Sequence, residues 1–426
     1  MGDTAEQVLR EFHSVIGKPY LPPLWALGFH QGSTSYNTSD TALESVKKYK
    51  EVGIPLEALF LDESYMDGYL PFNVDKNNFK MSKLVKELKK NNQKVAMSMH
   101  ACIPVYDTKG NIYSYFTEGK DTFIKSASKT SKVGGDILIG EFLPGKCAYV
   151  DYHNSKSYNF LSRGLGNLWG DFNFDGIQFN YNEITQFCDG ECPEEDKEKS
   201  VEEKFSDLPF NPLGKSNGYK LHSQTISLDA KFTPPEESQT DSHVSFNNQG
   251  IYGTQMMIYA NLYLQHGSTS PLHGKRALIM SRSTFSGAGQ YGGHWLGDNT
   301  NTFEDMKLSI SGILNFNLFG MPLTGANVCG TEGSDNEEVC ARWYQLASAY
   351  PYARSYFNGS FGTKEAWALT GKYQEAAKNA LTLRLSLLRY YYTIFFEINQ
   401  KGGSFWRPLF FEFPDDNGAL DGIYHF

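Results

Sequence analysis

Acidic, amide and basic side chains recur along this chain where predicted strands end. Asn180 and Glu183 close the stretch DGIQFNYNE (175–183), and Asp298 follows HWLG. Enzymes built on parallel strands gather their chemistry at such strand ends. A carboxylate, an arginine and aromatic rings that meet in one mouth suit the binding of a sugar. The side chains that we expect there are Asp62, Glu63, His100, Asn180, Glu183, Arg282, His294, Asp298, Asn327, Arg407 and Glu412.

Cleavage of a glycosidic bond usually takes two carboxyl groups, one that protonates the leaving oxygen and one that attacks carbon or activates water. We interpret Asp298 as the candidate acid, because the ring of Trp295 would desolvate its carboxyl and raise its pKa. Arg282 would hold a carboxylate or a sugar hydroxyl, and Asp62 would bind paired hydroxyls. Spacing alone leaves simpler roles open: a helix cap for Asp298, a structural ion pair for Arg282 and a solvated strand end for Asp62.

Short apolar runs alternate with longer amphipathic ones, and this pattern is typical of a parallel sheet with crossover helices. Eight such strands with intervening helices predict an α/β fold of the (β/α)8 TIM-barrel type. The predicted strands are ALGFHQ (26–31), LEALFLDE (56–63), KVAMSMH (94–100), DGIQFNYN (175–182), RALIMSRS (276–283), HWLGDN (294–299), MPLTGANV (321–328) and SFWRPLFFEF (404–413).

Two stretches interrupt the alternation of strands and helices. Residues 104–146 are rich in aromatics and glycine, which predicts a small β-rich insert after the third strand. Residues 189–241 are rich in Glu, Lys, Ser and Pro and predict a long surface loop. We therefore expect the first part of the barrel in 1–103, the insert in 104–146 and the remainder of the barrel in 147–426.

Composition bounds the partners that this chain could have. Of its 426 residues, 40% are hydrophobic and 15% aromatic, and the formal net charge is −9. The acidic balance argues against nucleic acid or an anionic membrane as the main partner. No run of about 20 apolar residues could span a bilayer. Asp3, Glu6 and Glu11 lie where a signal peptide would be basic and then apolar, so we expect no signal peptide in this chain.

Cysteine spacing favours disulfides. CDGEC (188–192) and CGTEGSDNEEVC (329–340) each close a short loop without the histidine or second cysteine pair that a zinc site requires. We expect disulfides at these spacings and neither a metal ion nor a cofactor. Sequons at Asn37 and Asn358 add slightly to the case for an oxidising compartment.

Several motifs together resemble glycoside hydrolase family 31, the α-glucosidase family of lysosomal acid α-glucosidase, sucrase-isomaltase and maltase-glucoamylase. The similarity covers nearly the whole chain. It implies a retaining enzyme on a (β/α)8 barrel with a β-rich insert after the third strand, flanked by β-sandwich domains that this chain lacks. The motifs are PPLWALGFHQ, LFLDESYMDGY, DGIQFNYNE, SRSTFSGAGQYGGHWLGDN, ILNFNLFGMPLTGANVCG and RPLFFEFPDD.

The resemblance also implies residue roles. Asp298 falls on the general acid/base, Arg282 on the substrate-binding arginine and Asp62 on the aspartate that holds the non-reducing sugar. Cys329 and Cys340 match a family disulfide. Asn180 falls on the nucleophile, where the family has Asp in a WIDMNE-like motif. An amide is not a useful nucleophile and carries no charge to stabilise an oxocarbenium-like transition state.

Other positions of the implied pocket also depart from the family pattern. Several changes together favour a natural variant over a single engineered Asp-to-Asn substitution at position 180. The departures are Tyr356 for His, Leu143 for Trp, Tyr181 for Met, Asn327 for Asp, Thr331 for Phe, His100-Ala101 for Asp-Pro, and Thr34 in a region that usually holds an aromatic residue.

Three functional hypotheses follow from these residues. The first is an α-glucosidase-like barrel that binds an α-glucoside or oligosaccharide, with ordinary retaining hydrolysis in doubt. The second is an enzyme that uses another carboxylate, with Glu183 or Glu63 nearest in sequence, and the third is a non-catalytic scaffold that binds a sugar or a protein. The resemblance implies a lysosomal or secreted setting.

Overall fold

Eight parallel strands form the centre of the molecule. The computed structural model describes residues 2–127, 131–192, 224–234 and 243–420. The strands are β1 (Phe29–Ser33), β2 (Ala58–Leu61), β3 (Lys94–His100), β7 (Gly176–Asn180), β8 (Leu278–Ser281), β9 (Gly293–Trp295), β10 (Thr324–Gly325) and β11 (Ala353–Phe357). In the sheet they follow the order β10-β9-β8-β7-β3-β2-β1-β11. The predicted barrel fold is confirmed.

The barrel closes between β10 and β11. Asn327, just beyond β10, forms a parallel bridge with Arg354 on β11, and the backbone N–H of Val328 donates to the Arg354 carbonyl at 2.9 Å. Almost every strand residue is buried, because helices cover the outside and side chains fill the inside. Polar side chains of the barrel interior must therefore find partners within it.

The eighth strand differs from the sequence prediction. It is Ala353–Phe357 and not 404–413, where Pro408 precedes the short helix Leu409–Glu412. The prediction was wrong because ARSYF is short and half polar, whereas 404–413 is apolar but lies outside the barrel. Arg407, expected at the mouth, instead pairs with Glu412 and Glu6 at 2.8 and 2.9 Å.

Helices surround the barrel, and several begin at side-chain caps. They are α1 (Ala5–Ile16), α2 (Ser39–Val52), α3 (Met81–Lys90), α4 (Ser114–Glu118), α5 (Lys156–Asp171), α6 (Ser245–Asn261), α7 (Phe303–Leu318), α8 (Glu337–Ala347), α9 (Gly371–Lys401), α10 (Leu409–Glu412) and α11 (Asn417–Leu420). Thr38 and Thr41 form a capping box at the start of α2, and Asn336 accepts two backbone N–H bonds at the start of α8.

A three-stranded antiparallel sheet follows β3. Its strands are β4 (Cys102–Pro104), β5 (Gly140–Phe142) and β6 (Gly145–Tyr149), with β6 in the centre. A disulfide joins Cys102 to Cys147 across it, a pair that the spacing did not indicate. This sheet lies where the insert was expected, and the limits 104–146 stay a prediction. The predicted loop at 189–241 falls largely outside the described residues.

Both short-loop disulfides are confirmed. Cys188 bonds to Cys192, and Cys329 bonds to Cys340. The second bridge ties the loop after β10 to α8, directly beside the closure of the barrel. In the part of the chain that the structure describes, no helix has the length and apolar character needed to cross a bilayer.

Arg384 attaches the long helix α9 to the end of α8. Its buried guanidinium donates to the carbonyls of Ala347, Ser348, Tyr350 and Pro351 at 2.6–3.3 Å. The Ala347 carbonyl also accepts from the Tyr350 N–H at 3.2 Å and the Ser348 carbonyl from the Tyr391 hydroxyl at 2.8 Å, so the carbonyls of Tyr350 and Pro351, in the turn after α8, depend most on Arg384. Burial lowers the pKa of Arg384 to about 10, so this side chain remains a cation at neutral pH.

We expect Arg384→Met to lower the free energy of unfolding by about 3 kcal/mol, because it removes a buried charged donor and leaves the buried carbonyls of Tyr350 and Pro351 without it. Urea unfolding followed by circular dichroism measures the change. Arg389→Met is the matched control, since Arg389 lies exposed on the same helix and should change stability little. Equal effects of the two substitutions would contradict this role for Arg384.

Candidate active site at the barrel mouth

The carboxyl ends of the barrel strands bring most of the predicted site residues to one region. Asp62 and Glu63 follow β2, Asn180 ends β7 and Arg282 follows β8. Tyr356 lies on β11, and its hydroxyl donates to Asp62 Oδ2 at 3.4 Å. The phenol of Tyr181, directly after Asn180, interacts electrostatically with four charged side chains at the mouth: Glu63, Asp298, Arg282 and Glu183.

Asn180 is buried and held on both sides of its amide. Its Nδ2 donates to Glu63 Oε1 at 2.9 Å, and its Oδ1 accepts from Gln178 Nε2 at 2.6 Å. Gln178 lies two residues earlier on the same face of β7, so the period of the strand places the two amides together. Both donor and acceptor capacities of Asn180 are therefore used inside the protein.

The bonds continue in one direction across the barrel. Arg354 Nη1 donates to Gln178 Oε1 at 2.5 Å, Gln178 donates to Asn180, and Asn180 donates to Glu63. In each of these hydrogen bonds the donor lies on the side of Arg354 and the acceptor on the side of Glu63. The series therefore runs from a guanidinium to a carboxyl group. We name these four residues the Arg354–Glu63 chain. Hydrogen bonds aligned in this way polarise and strengthen one another.

Arg354 is the buried cation of this region. Nη2 also donates to Asn327 Oδ1 at 3.1 Å, and the guanidinium carbon lies 4.2 Å from the ring centroid of Phe60 and 5.1 Å from that of Trp295. Burial lowers its pKa from the ordinary value. Among the described residues no carboxylate forms a salt bridge with Arg354, so amides and aromatic faces stabilise its charge.

Glu63 is the carboxyl group nearest to Asn180. Burial, with a smaller contribution from the charge of Asp62, raises the pKa of Glu63 to about 7. Burial also raises the pKa of Asp62, although Ser64 donates to Asp62 Oδ1 through both its backbone N–H and its hydroxyl. Asp62 and Glu63 thus place two buried carboxyl groups near the amide of Asn180.

Asp298 and Trp295 do not form the pair that the sequence predicted. Asp298 is exposed on the loop after β9, whereas the indole of Trp295 is buried and its Nε1 donates to Asn327 Oδ1 at 2.9 Å. The expected shielding of Asp298 by Trp295 is therefore not what the structure shows. The exposed carboxyl group of Asp298 is accessible to a ligand at the mouth, and the role of Asp298 as a general acid stays a prediction.

Arg282 is engaged by its neighbours. Its Nη2 lies 3.2 Å from Glu183 Oε1, and its guanidinium carbon lies 4.9 Å from the ring centroid of Tyr181. Tyr181 has a left-handed backbone with φ 51°, and its ring packs at 5.0 Å on Phe142 from the antiparallel sheet. The ion pair that spacing left open for Arg282 is present, and it does not prevent a further bond to a ligand.

Several other substituted positions have structural roles here. His100 Nε2 lies 2.9 Å from the Tyr69 carbonyl, and burial lowers the pKa of His100 to about 4, so the ring is neutral at pH 7. Asn327 Nδ2 donates to Thr331 Oγ1 at 2.6 Å. Leu143 is partly exposed on the turn between β5 and β6.

Sequence reasoning missed Arg354 and did not assign a role to Gln178. In YPYARSYFN, residues 354 and 356 alternate with smaller side chains, and this period of two was the available indication that both face the same side of a strand. No cluster of three or more His, Cys, Asp or Glu side chains that could hold a metal ion occurs among the described residues.

Comparison with known proteins agrees with this architecture. The family model of the glycosyl hydrolases family 31 TIM-barrel domain matches residues 19–394. The chain belongs to glycosyl hydrolase family 31. It is 30% identical to human probable maltase-glucoamylase 2 over 429 residues, covering 99% of this chain and 16% of that protein. It is also 30% identical to rat lysosomal alpha-glucosidase over 420 residues, covering 98% of this chain and 41% of the relative.

Solved structures share the fold at lower identity. A Tris-bound glucosidase II alpha subunit superposes with a TM-score of 0.81 at 22% identity, covering 99% of this chain and 40% of that one. A family 31 alpha-glucosidase from Bacteroides thetaiotaomicron gives a TM-score of 0.76 at 23% identity, covering 98% and 60%. This family 31 chain thus spans less than half the length of the maltase-glucoamylase and lysosomal relatives.

We expect Asn327→Asp to raise the free energy of unfolding by about 1–3 kcal/mol, because it gives the buried Arg354 guanidinium a charged acceptor. Arg354 would lower the pKa of the new carboxyl in the folded state. The gain should therefore be present at neutral pH and be lost as pH falls toward that lowered pKa. Urea unfolding at pH 7 and pH 4 tests this.

Asn379→Asp on the exposed face of α9 controls for the added negative charge. It should leave stability nearly unchanged at both pH values. A loss of stability in Asn327→Asp at pH 7 would show that the amides already compensate the guanidinium.

Proposed function

We propose that this barrel binds an α-linked glucoside at its mouth and does not hydrolyse it by the retaining route of family 31. The observation that carries the proposal is the position of Asn180 in the Arg354–Glu63 chain. A retaining mechanism requires a carboxylate that attacks the anomeric carbon and leaves again. At position 180 the side chain is a neutral amide whose nitrogen and oxygen are both bonded within the protein.

Sugar binding is supported by the charged and aromatic side chains at the mouth. Asp62 retains a carboxylate beside the hydroxyls of Ser64 and Tyr356, an arrangement suited to paired sugar hydroxyls. Arg282 and Asp298 present charged side chains from the next strands, and the ring of Tyr181 adds an apolar face. Carbohydrate sites commonly combine such polar groups with aromatic rings.

The substrate class and setting come from the relatives. Maltase-glucoamylase, sucrase-isomaltase and lysosomal alpha-glucosidase are named for α-linked glucose, so we propose an α-glucoside or oligosaccharide as ligand. Three disulfides support a lysosomal or secreted location. The flanking β-sandwich domains of the family would add further surface to the site.

Two measurements on the same preparation test this proposal. Release of p-nitrophenol from its α-glucoside should not exceed the blank, and binding of maltose should be detectable by calorimetry or saturation-transfer NMR. Asp62→Ala should weaken maltose binding at least about tenfold, because a charged acceptor of sugar hydroxyls is lost. Asp40→Ala, an exposed acidic residue on α2, is the matched control and should bind as the parent does.

The outcomes separate the hypotheses. Turnover by the parent protein that disappears in Asp298→Ala would overturn the loss of hydrolysis. A folded protein that binds none of a panel of α-glucosides would overturn sugar binding and favour the scaffold that binds another protein.

A further inference from the structure

When Glu63 is ionised, its hydrogen bond with Asn180 has one possible direction. Glu63, when ionised, offers acceptors alone, so the group 2.9 Å from its Oε1 must be a donor. Asn180 provides that donor through Nδ2 while its Oδ1 accepts from Gln178. An ionised aspartate has no donor and could satisfy Gln178 but not Glu63.

We propose that Glu63 is a positioning residue whose carboxylate requires a hydrogen-bond donor at position 180. The carboxylate of Glu63 and the amide of Asn180 then form a matched pair. Glu63 and Asn180 are therefore coupled, and replacing either one alone changes what the other must donate or accept. This inference concerns the pair itself and holds whether or not a sugar binds.

The surroundings of Glu63 cannot remove the conflict that an aspartate at position 180 would create. The nearest cation of the Arg354–Glu63 chain is one amide further away, since Arg354 contacts Gln178 and not residue 180. Asp62 adds a second negative charge on the same loop and raises the pKa of Glu63. The titratable groups that interact with Glu63 are Asp62 beside it, Tyr65 in the following turn, Tyr181 after β7, and Arg354 and Tyr356 on β11.

Two carboxyl groups at hydrogen-bonding distance in a buried position share one proton, and their pKa values separate. In Asn180→Asp we therefore expect one carboxyl of the pair to have a folded-state pKa well above its unfolded value. The proton stabilises the folded state while it is bound. Stability should consequently be retained at low pH and be lost as pH rises through that raised pKa.

Adding Glu63→Gln to Asn180→Asp should relieve the conflict. The introduced glutamine amide can donate from its Nε2 to the introduced aspartate, while Gln178 donates to the same carboxylate. The charge of the pair is then −1, as in the parent with Glu63 ionised, but on the other residue. The experiment is a double-mutant cycle of the parent, Asn180→Asp, Glu63→Gln and the double variant, with urea unfolding at pH 5 and pH 8.

We expect Asn180→Asp to lower the folding equilibrium constant at pH 8 by at least about tenfold more than at pH 5. The double variant should recover most of that loss and its excess pH dependence. Asp62→Asn in the Asn180→Asp background is the matched control: it also removes one negative charge nearby but supplies no donor to residue 180, so it should recover much less.

Independent effects of the two substitutions in the cycle would overturn the proposal, as would an Asn180→Asp protein with the parent's stability at pH 8. The cycle requires no ligand. A protein that fails to bind maltose yet shows the coupling refutes the proposed function and leaves the pairing of Glu63 with Asn180 intact.

Discussion

A buried guanidinium without a carboxylate partner among the described residues organises the inside of this barrel. Arg354 donates to Gln178 and Asn327, and it lies against the rings of Phe60 and Trp295. A charge removed from water must be compensated locally, or folding becomes less favourable by several kcal/mol. The amide oxygens around Arg354 are consequently oriented toward it, and their NH2 groups must point away. This one requirement sets the direction of the hydrogen bonds that reach Asn180.

The direction of these bonds links the closure of the barrel to its mouth. Arg354 bridges to Asn327 at the junction of β10 and β11, and the Cys329–Cys340 disulfide holds the following loop against α8. At the other end of the chain, Glu63 accepts the last donor. Replacing an amide by a carboxylate along this path therefore changes more than one local contact. A neighbour that accepted a hydrogen bond from the amide NH2 group would instead have to donate one to the carboxylate.

The mouth combines charged side chains from three strands with an uncharged amide at position 180. Asp62, Arg282 and Asp298 are brought to the same region by three different strands, as the family resemblance implies. The buried carboxyl group beside position 180 is that of Glu63, whose pKa burial raises to about 7, and Asn180 itself is uncharged. A transition state with positive character at the anomeric carbon needs negative charge at a defined place. The neutral amide of Asn180 does not supply such a charge.

Much of this protein was determined by its sequence alone. Short apolar runs that alternate with amphipathic helices indicated the barrel, and seven of its strands were located because their burial requires apolar side chains. The short cysteine loops indicated two disulfides, and motif positions predicted that Asp62, Asn180, Arg282 and Asp298 lie at the mouth, while their roles stay predictions. The eighth strand was not predicted, because the polar residues in ARSYF make it resemble a surface segment. In the folded protein Arg354 is buried and bonded to partners from other strands. The Cys102–Cys147 disulfide, the hydrogen bond of Trp295 to Asn327 and the pairing of Asn180 with Glu63 were decided only by the tertiary structure. Each depends on a distance between residues far apart in the chain, and hydrophobic periodicity carries no information about the direction of a hydrogen bond.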